Sequence, residues 1–189
     1  MADDHTNHGA AGRFPERFET TRLILRRWRE QDRASFLAIW ADPAVWRAIG
    51  PGVTGAPYDA DYAAGRFEHH MQHWEQNGFG LWAAEERASG EVAGWVGPSH
   101  PTYVPELADA VEIGWTLRQP FWGRGLAGEG ASAAVDVAFT ELGVDELVSL
   151  INPANARSIA VAKTLGMSEQ REVSRPDTGE RMMVFARRG

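Results

Sequence analysis

Two hydrophobic periods, one of about 3.6 residues and one of two, divide the chain into elements. Leu23, Ile24 and Leu25, within 21–28, form a short apolar run that predicts a first strand. Asp32 then stands where a helix cap is expected, and Phe36, Leu37, Ile39 and Trp40 form an apolar helical face that ends near Pro43. A second helical patch over 45–49 runs into the breaker-rich stretch 50–57. A longer helix is predicted over 59–76, with Tyr62, Phe67, Met71 and Trp74 around its apolar stripe. The runs 80–86 and 91–96 flank Ser89-Gly90 and predict a hairpin, and 98–109 reads as a loop. A strand over 111–117 follows, then a glycine-rich turn and a helical run over 131–142. The pattern closes with a strand over 146–151, a helix from about 155 to 165 stopped by Gly166, and a last strand over 182–186. Helices inserted among hairpin-paired strands, with no repeat or linker, predict a mixed α/β (α+β) fold. One domain is expected over 15–189, behind a mobile leader over 1–14.

Composition narrows the classes. A length of 189 residues suffices for one domain with a real core. A formal charge of −7 lacks the basic footprint of a general nucleic-acid binder. The absence of cysteine removes disulfides, thiolate metal sites and a cysteine nucleophile, and it fits a reducing cytosol. Residues 1–14 carry neither the basic n-region nor the apolar core of a secretory signal. No apolar run approaches the ~20 residues of a membrane span. These features predict a cytoplasmic protein, monomeric or homodimeric, with neither nucleic acid nor membrane as partner.

The most informative segment is Trp122-Gly123-Arg124-Gly125-Leu126-Ala127-Gly128-Glu129-Gly130, set between a strand and a helix. Its glycines let bare backbone N–H groups approach a ligand, and the helix N-terminus adds roughly half a positive charge, so the loop suits a phosphate-type anion. A P-loop would need Lys and Ser/Thr where Glu129 and Gly130 stand. The dinucleotide fingerprint matches Gly123-x-Gly125-x-x-Gly128 literally, with Asp145 near the ~20-residue spacing it asks for. Context opposes it: residues 118–122 separate the glycines from their strand, Asp145 precedes a strand instead of ending one, and only about sixty residues remain for a two-halved sheet.

The third pattern is a coenzyme A pyrophosphate loop. Here the segment resembles the GNAT acetyltransferase superfamily, whose signature is Gln/Arg-x-x-Gly-x-Gly/Ala between a central strand and a helix. Trp122 departs from that signature and is similar to the RimJ/RimL-type branch, which often reads Trp-Gly-x-Gly-Tyr-Ala-Thr-Glu-Ala there. The resemblance continues in Glu112-Ile113-Gly114-Trp115, Asn155-Ala156-Arg157-Ser158, Lys163-Thr164-Leu165-Gly166-Met167, the opening Thr21-Arg22-Leu23-Ile24-Leu25-Arg26, and Asp42-Pro43. It implies a GNAT-like domain: a largely antiparallel central sheet flanked by helices, whose parallel strands 111–117 and 146–151 splay around a coenzyme A cleft. It further implies acetyl-CoA as cosubstrate and direct acetyl transfer to a primary amine. In this branch the amine is that of a protein N-terminus, or of a polyamine, amino acid or antibiotic. A non-catalytic acyl-CoA-binding module is the alternative class.

An extended pantetheine arm can pair with a strand edge as a peptide does, which makes Trp115, Thr116 and Leu117 its expected seat. Gly123, Arg124, Gly125, Leu126, Ala127 and Gly128 are the expected phosphate seat, with Arg118, Arg157 and Lys163 as weaker candidates. An ammonium cannot attack a thioester, so a base is needed. Glu112 shares a strand face with Gly114, which leaves space beside its carboxylate, and burial there would raise its pKa into a useful range. A solvated strand face is the ordinary alternative, and Asp177 and Glu180 are rival carboxylates. Asn155 and Ser158 open a helix, and capping alone would account for both. The resemblance adds a hydrogen bond from Asn155 to the pantetheine arm and a proton from Ser158 to the departing thiolate. Tyrosine does that work in many relatives, but Tyr58, Tyr62 and Tyr103 stand away from the expected position in sequence. His69, His70 and His73 lack the Glu of a zincin motif and further ligands, so a solvated helix face is expected and no metal. Trp28, Trp40, Trp46, Trp74, Trp82 and Trp95 read as core or cleft wall.

Overall fold

The computed structural model describes residues 14–49 and 59–189. Its elements are β1 (Arg17–Glu19), β2 (Leu23–Arg26), α1 (Arg33–Ala41), α2 (Pro43–Ile49), α3 (Ala60–Asn77), β3 (Trp82–Glu86) and β4 (Val92–Ser99). They continue with β5 (Glu112–Leu117), α4 (Leu126–Leu142), β6 (Glu146–Ile151), α5 (Ala156–Thr164), β7 (Ser168–Ser174) and β8 (Arg181–Arg188). The strands form one sheet in the order β1-β2-β3-β4-β5-β6-β8-β7. Every neighbouring pair is antiparallel except β5 and β6, which run parallel. The mixed α/β sheet with one parallel pair matches the predicted class.

Strand periodicity sorts the core into layers. On β3, Trp82 and Ala84 join the apolar layer beneath α4 and α5, whereas Ala83 joins the layer beneath α1 and α3. On β6, Leu147 and Ile151 face the first layer, while Val148 and Leu150 face a third, packed against β8 and the 103–110 connection. Gly130 lets α4 lie close to the sheet: a Cβ there would meet Leu23 Cδ1 at 3.1 Å and Val96 Cγ2 at 3.2 Å.

The structure departs from the pattern-based elements in several places. Helix α4 begins at Leu126 and not at 131, so Gly128 belongs to its first turn. β1 and β7 were not expected; β7 is an edge strand whose residues are all exposed except Val173, so it carries no alternation to read. Asp32 does not cap α1 through its side chain. Its carboxylate instead accepts from both guanidinium nitrogens of buried Arg26, at 2.7 and 3.0 Å, and from the Arg29 N–H at 2.9 Å. The buried stripe of α3 is Ala63, Phe67, His70 and Trp74, with His73 beside it; Tyr62 and Met71 are only partly covered. Phe14, the last residue assigned to the leader, stacks on Trp82 at 5.0 Å, and residues 1–13 lie outside the described residues, as does the stretch 50–57. No helix among the described residues is long and apolar enough to cross a membrane.

Candidate active site

β5 and β6 pair at a single register position, Glu112 with Val148, held by the Val148 N–H on the Val111 carbonyl at 3.0 Å. Beyond it the contact passes to a side chain, as the Ser149 hydroxyl donates to the Ile113 carbonyl at 2.7 Å, and then the strands part. Residues 111 and 113 thus turn their backbone groups toward β6. By the alternation of an antiparallel ladder, Trp115 does the same, while Thr116 turns its own toward β4, where it pairs with Trp95. The open edge therefore lies at Trp115. Of the seat expected over 115–117, Thr116 reaches the cleft through its side chain, and the Leu117 carbonyl is taken by the Trp122 indole N–H at 2.6 Å.

A cavity of about 180 Å³ fills the gap. It brings together Glu112, Gly114, Trp115 and Thr116 from β5, Asn155 and Ser158 from the start of α5, and Trp40 and Trp95 as walls. Glu112 is the one carboxylate lining it among the described residues. Its side chain is buried, and burial lifts its pKa from 4.5 to about 7 against the opposing pull of the Tyr103 hydroxyl, the Leu150 N–H, and the charges of Arg66 and Arg175. Tyr103 donates to the carboxylate, with both oxygens 2.9 Å away. Sequence reasoning placed Tyr103 away from the site. The signal was the antiparallel pairing of Ser99 with Glu112, which folds the intervening connection back over the strand. Burial and the adjacent carboxylate push the Tyr103 phenol well above its usual range, so it holds Glu112 better than it would surrender a proton.

The histidines are not on a solvated face. His70 and His73 are buried, and with His69 and His100 they line the same cavity. His73 has both nitrogens assigned: Nδ1 donates to the Phe79 carbonyl at 2.9 Å, and Nε2 accepts from the His100 N–H at 3.1 Å. That pattern fixes a neutral ring, and desolvation lowers the pKa of His69, His70 and His73 alike. Among the described residues no three His, Cys, Asp or Glu side chains converge as metal ligands would.

Asn155 caps α5: its Oδ1 accepts from the Ser158 N–H at 3.1 Å, and its amide donates to the Ala48 carbonyl at 2.8 Å. Oδ1 is thus taken by the cap and one amide hydrogen by Ala48, which leaves the second amide hydrogen of the side chain that was expected on the pantetheine arm. Asp177 is bound by Arg175 and does not line the cavity; neither does Glu180, which accepts from Asn152 at 3.2 Å. Burial raises the Glu180 carboxyl, whereas the Arg175 guanidinium lowers that of Asp177.

The glycine segment stands at the end of β5, outside the cavity. Gly123 and Gly125 have φ of 70° and 75°, and Gly125 is the N-cap of α4. The first helical bond comes from the Glu129 N–H to the Gly125 carbonyl, so the N–H groups of Leu126, Ala127 and Gly128 have no helical acceptor. Leu126 keeps its side chain in the core while its N–H stays available. Three such donors at a helix N-terminus are an arrangement that can hold a phosphate-type anion. Arg22 and Glu129 lock it. Glu129 accepts from Thr20 Oγ1 at 2.6 Å, from the Arg22 N–H at 2.7 Å and from Arg22 Nε at 2.6 Å, and the Arg22 guanidinium donates to the Arg124 carbonyl at 2.7 Å. The Arg124 side chain, expected on the phosphates, is engaged by Glu86 and lies over the Phe121 ring. Arg118 pairs with Glu91, and Arg157 covers the Trp122 ring at 4.8 Å.

A split parallel pair leading into a helix N-terminus with open N–H donors, with a buried carboxylate at the split, accords with the comparisons. Residues 22–168 match the family described as acetyltransferase (GNAT) domain. The chain is 31% identical over 157 residues to the uncharacterized protein YkkB of Bacillus subtilis, covering 78% of this chain and 83% of that protein. It is also 31% identical over 159 residues to the FsC-acetyl coenzyme A-N(2)-transacetylase of Aspergillus fumigatus, over 79% of this chain and 63% of that protein. An acetyltransferase structure from Agrobacterium tumefaciens superposes with a TM-score of 0.77 at 30% identity, covering 92% of this chain and 94% of that one. The chain therefore belongs to the GNAT acetyltransferase family, whose members use acetyl-CoA as the acetyl donor.

Proposed function

We propose that the protein carries an acetyl group from acetyl-CoA directly to an α-amine, with Glu112 as the base. The observation that carries this reading is the burial of a single carboxylate, with a pKa near 7, at the point where β5 and β6 part. Acetyl-CoA would lay its pyrophosphate on the N–H groups of Leu126, Ala127 and Gly128, with Gly123 and Gly125 giving the backbone room and Arg124 within the same loop. Its pantetheine arm would run along the open edge at Trp115, beside Thr116, Leu117 and Asn155. The acceptor enters as an ammonium. Glu112 takes one proton, the freed nitrogen attacks the thioester carbonyl, the C–S bond breaks, and the second proton of that nitrogen passes to the departing thiolate, relayed through the Ser158 hydroxyl or through solvent. A thiol of pKa near 8.5 needs little help to leave, so Ser158 contributes modestly.

A base near 7 closes the gap to an α-amine of pKa near 8 more easily than to a lysine near 10.4. The RimJ/RimL-type resemblance points to the α-amine of a protein or peptide N-terminus, within one cytoplasmic domain that works as a monomer or homodimer. A small-molecule amine is the second reading, and the small volume of the cavity favours it.

Thiol release from acetyl-CoA, followed over a panel of N-terminal peptides, amino acids, polyamines and aminoglycosides, tests the reading together with Glu112→Gln. The variant keeps the shape of the side chain and removes the base, so kcat should fall by roughly 10²–10⁴ while acetyl-CoA still binds. Activity within a few-fold of the parent at neutral pH would make Glu112 structural. Binding of acetyl-CoA without turnover of any amine would leave the chain a binding module.

A further inference from the structure

We infer that Arg66 is the recognition point for a carboxylate on the acceptor, so that the enzyme acetylates a small amine that bears its own carboxylate, such as a free amino acid. This rests on the transfer chemistry proposed above and, between its two acceptor readings, takes the small-molecule amine over the protein N-terminus.

Arg66 lies on α3, one helical turn before His70, and lines the cavity that holds Glu112. Its Nε is buried and has no hydrogen-bond partner, and among the described residues no carboxylate pairs with it. A guanidinium is charged at every accessible pH, and although Arg66 as a whole is half-buried, leaving its enclosed Nε–H without an acceptor carries a cost. The chain avoids that cost elsewhere. Buried Arg26 is held by both Asp32 and Glu85, and Arg175, the other arginine lining the cavity, carries Asp177 on two of its nitrogens at 3.2 and 2.7 Å. Arg66 alone of these three keeps its fork for something that arrives.

What arrives is defined by the surroundings. Arg66 and Glu112 line the same cavity, so a ligand that fills it meets both, and the guanidinium's charge acts on Glu112, Tyr103 and His70. It does not belong to the phosphate seat, because Gly123 to Gly128 do not line this cavity. The planar fork matches a carboxylate in two parallel hydrogen bonds. An acceptor carrying an ammonium and a carboxylate therefore meets both fixed charges at once, the ammonium at Glu112 and the carboxylate at Arg66. A polyamine or aminoglycoside would bring a second cation against Arg66.

The test uses the full chain, saturating acetyl-CoA and thiol-release detection, with each of the twenty protein amino acids run beside its carboxamide, and spermidine as the polycation. At least one amino acid should exceed its own carboxamide at least ten-fold in kcat/KM, with spermidine at background. Arg66→Gln, on a partly exposed helix position, should raise KM for that amino acid by roughly 10–100-fold, leave KM for acetyl-CoA unchanged, and bring acid and carboxamide to equal rates. Arg66→Lys should recover part of the loss. A second readout needs no turnover: the N-acetyl amino acids, which keep the carboxylate, should raise the melting temperature of the parent and not of Arg66→Gln. Acids and carboxamides turned over equally, a preference for spermidine, or equal thermal shifts in parent and variant would overturn the carboxylate site. Turnover of neutral amines that depends on Glu112 and ignores Arg66 would do so while leaving the transfer chemistry intact. Arg66-dependent thermal shifts without any thiol release would instead keep the carboxylate site and remove the transfer reading.

Discussion

At the scale of single residues, Glu112 sets chemistry against stability. Burial lifts its carboxyl from 4.5 to about 7. Between those values the folded chain holds a proton that the unfolded chain has released. The native state therefore loses stability as pH rises through that window, and the full benefit exists only below about 4.5. Above pH 7 the buried charge costs on the order of 3 kcal/mol. Glu112→Gln is neutral at every pH and keeps an acceptor for Tyr103, so at pH 8 it should melt several degrees above the parent. Near pH 4.5 the gain should almost vanish. Equal melting temperatures at pH 8 would mean that the carboxylate ionises without penalty. Tyr103→Phe removes a donor that favours the ionised carboxylate, so the inflection in the pH–rate curve should move to higher pH. The fold loss should be greatest below pH 7, roughly ten-fold for a shift of about one unit, and should shrink toward none by pH 9; an inflection that stays in place would show that the hydroxyl does not tune Glu112. Glu112 was legible because one strand face places it beside Gly114. Tyr103 was not, because nothing local marks a loop residue that returns across a strand pairing. His70 was misread because an imidazole in an apolar stripe looks polar in sequence, although its ring packs against Trp28, Phe36 and Trp95.

Among elements, the junction of β5 and α4 is the proposed cosubstrate seat. Gly125 has a φ of 75°, and a Cβ on it would meet Arg22 Nη2 at 3.4 Å, the same side chain that braces the Arg124 carbonyl. A β-branched residue there suffers left-handed strain of roughly 1–2 kcal/mol and crowds the anion seat. Gly125→Val should therefore fold, by circular dichroism, yet bind coenzyme A at least about ten-fold more weakly in calorimetry. Unchanged affinity in a folded variant would remove the phosphate role of the loop. Sequence pattern located this junction but began the helix five residues late, because Gly128 and Gly130 read as loop. Gly130 is instead the residue that lets α4 approach Leu23 and Val96. β7 was silent for the opposite reason: an exposed edge strand has no buried face to impose a period of two.

For the whole molecule, the proposed reading puts donor and acceptor in one cleft at the split of the sheet, and the chain has no cysteine to carry an acyl group. Transfer should then proceed through a ternary complex. Initial rates at several fixed acetyl-CoA concentrations should give intersecting double-reciprocal lines; parallel lines would signal an acyl-enzyme. The overall architecture was legible because its signals are collective, resting on the order of strands, glycine loop and helices, and no single boundary error disturbs that order. The acceptor was not legible, since Arg66, His70 and Tyr103 are brought to Glu112 only by packing of α3 and the 100–110 connection on the sheet.

The most direct measurement is the pH dependence of kcat/KM from pH 5 to 9 for the best acceptor, in the parent and in Glu112→Gln, with acetyl-CoA affinity determined alongside. In the parent, kcat/KM should rise through an inflection near 7 as Glu112 loses its proton. In Glu112→Gln that inflection should disappear, with rates lower by roughly 10²–10⁴ at neutral pH and acetyl-CoA affinity unchanged. The same inflection persisting in the variant, at rates within a few-fold of the parent, would contradict the assignment of Glu112 as the base.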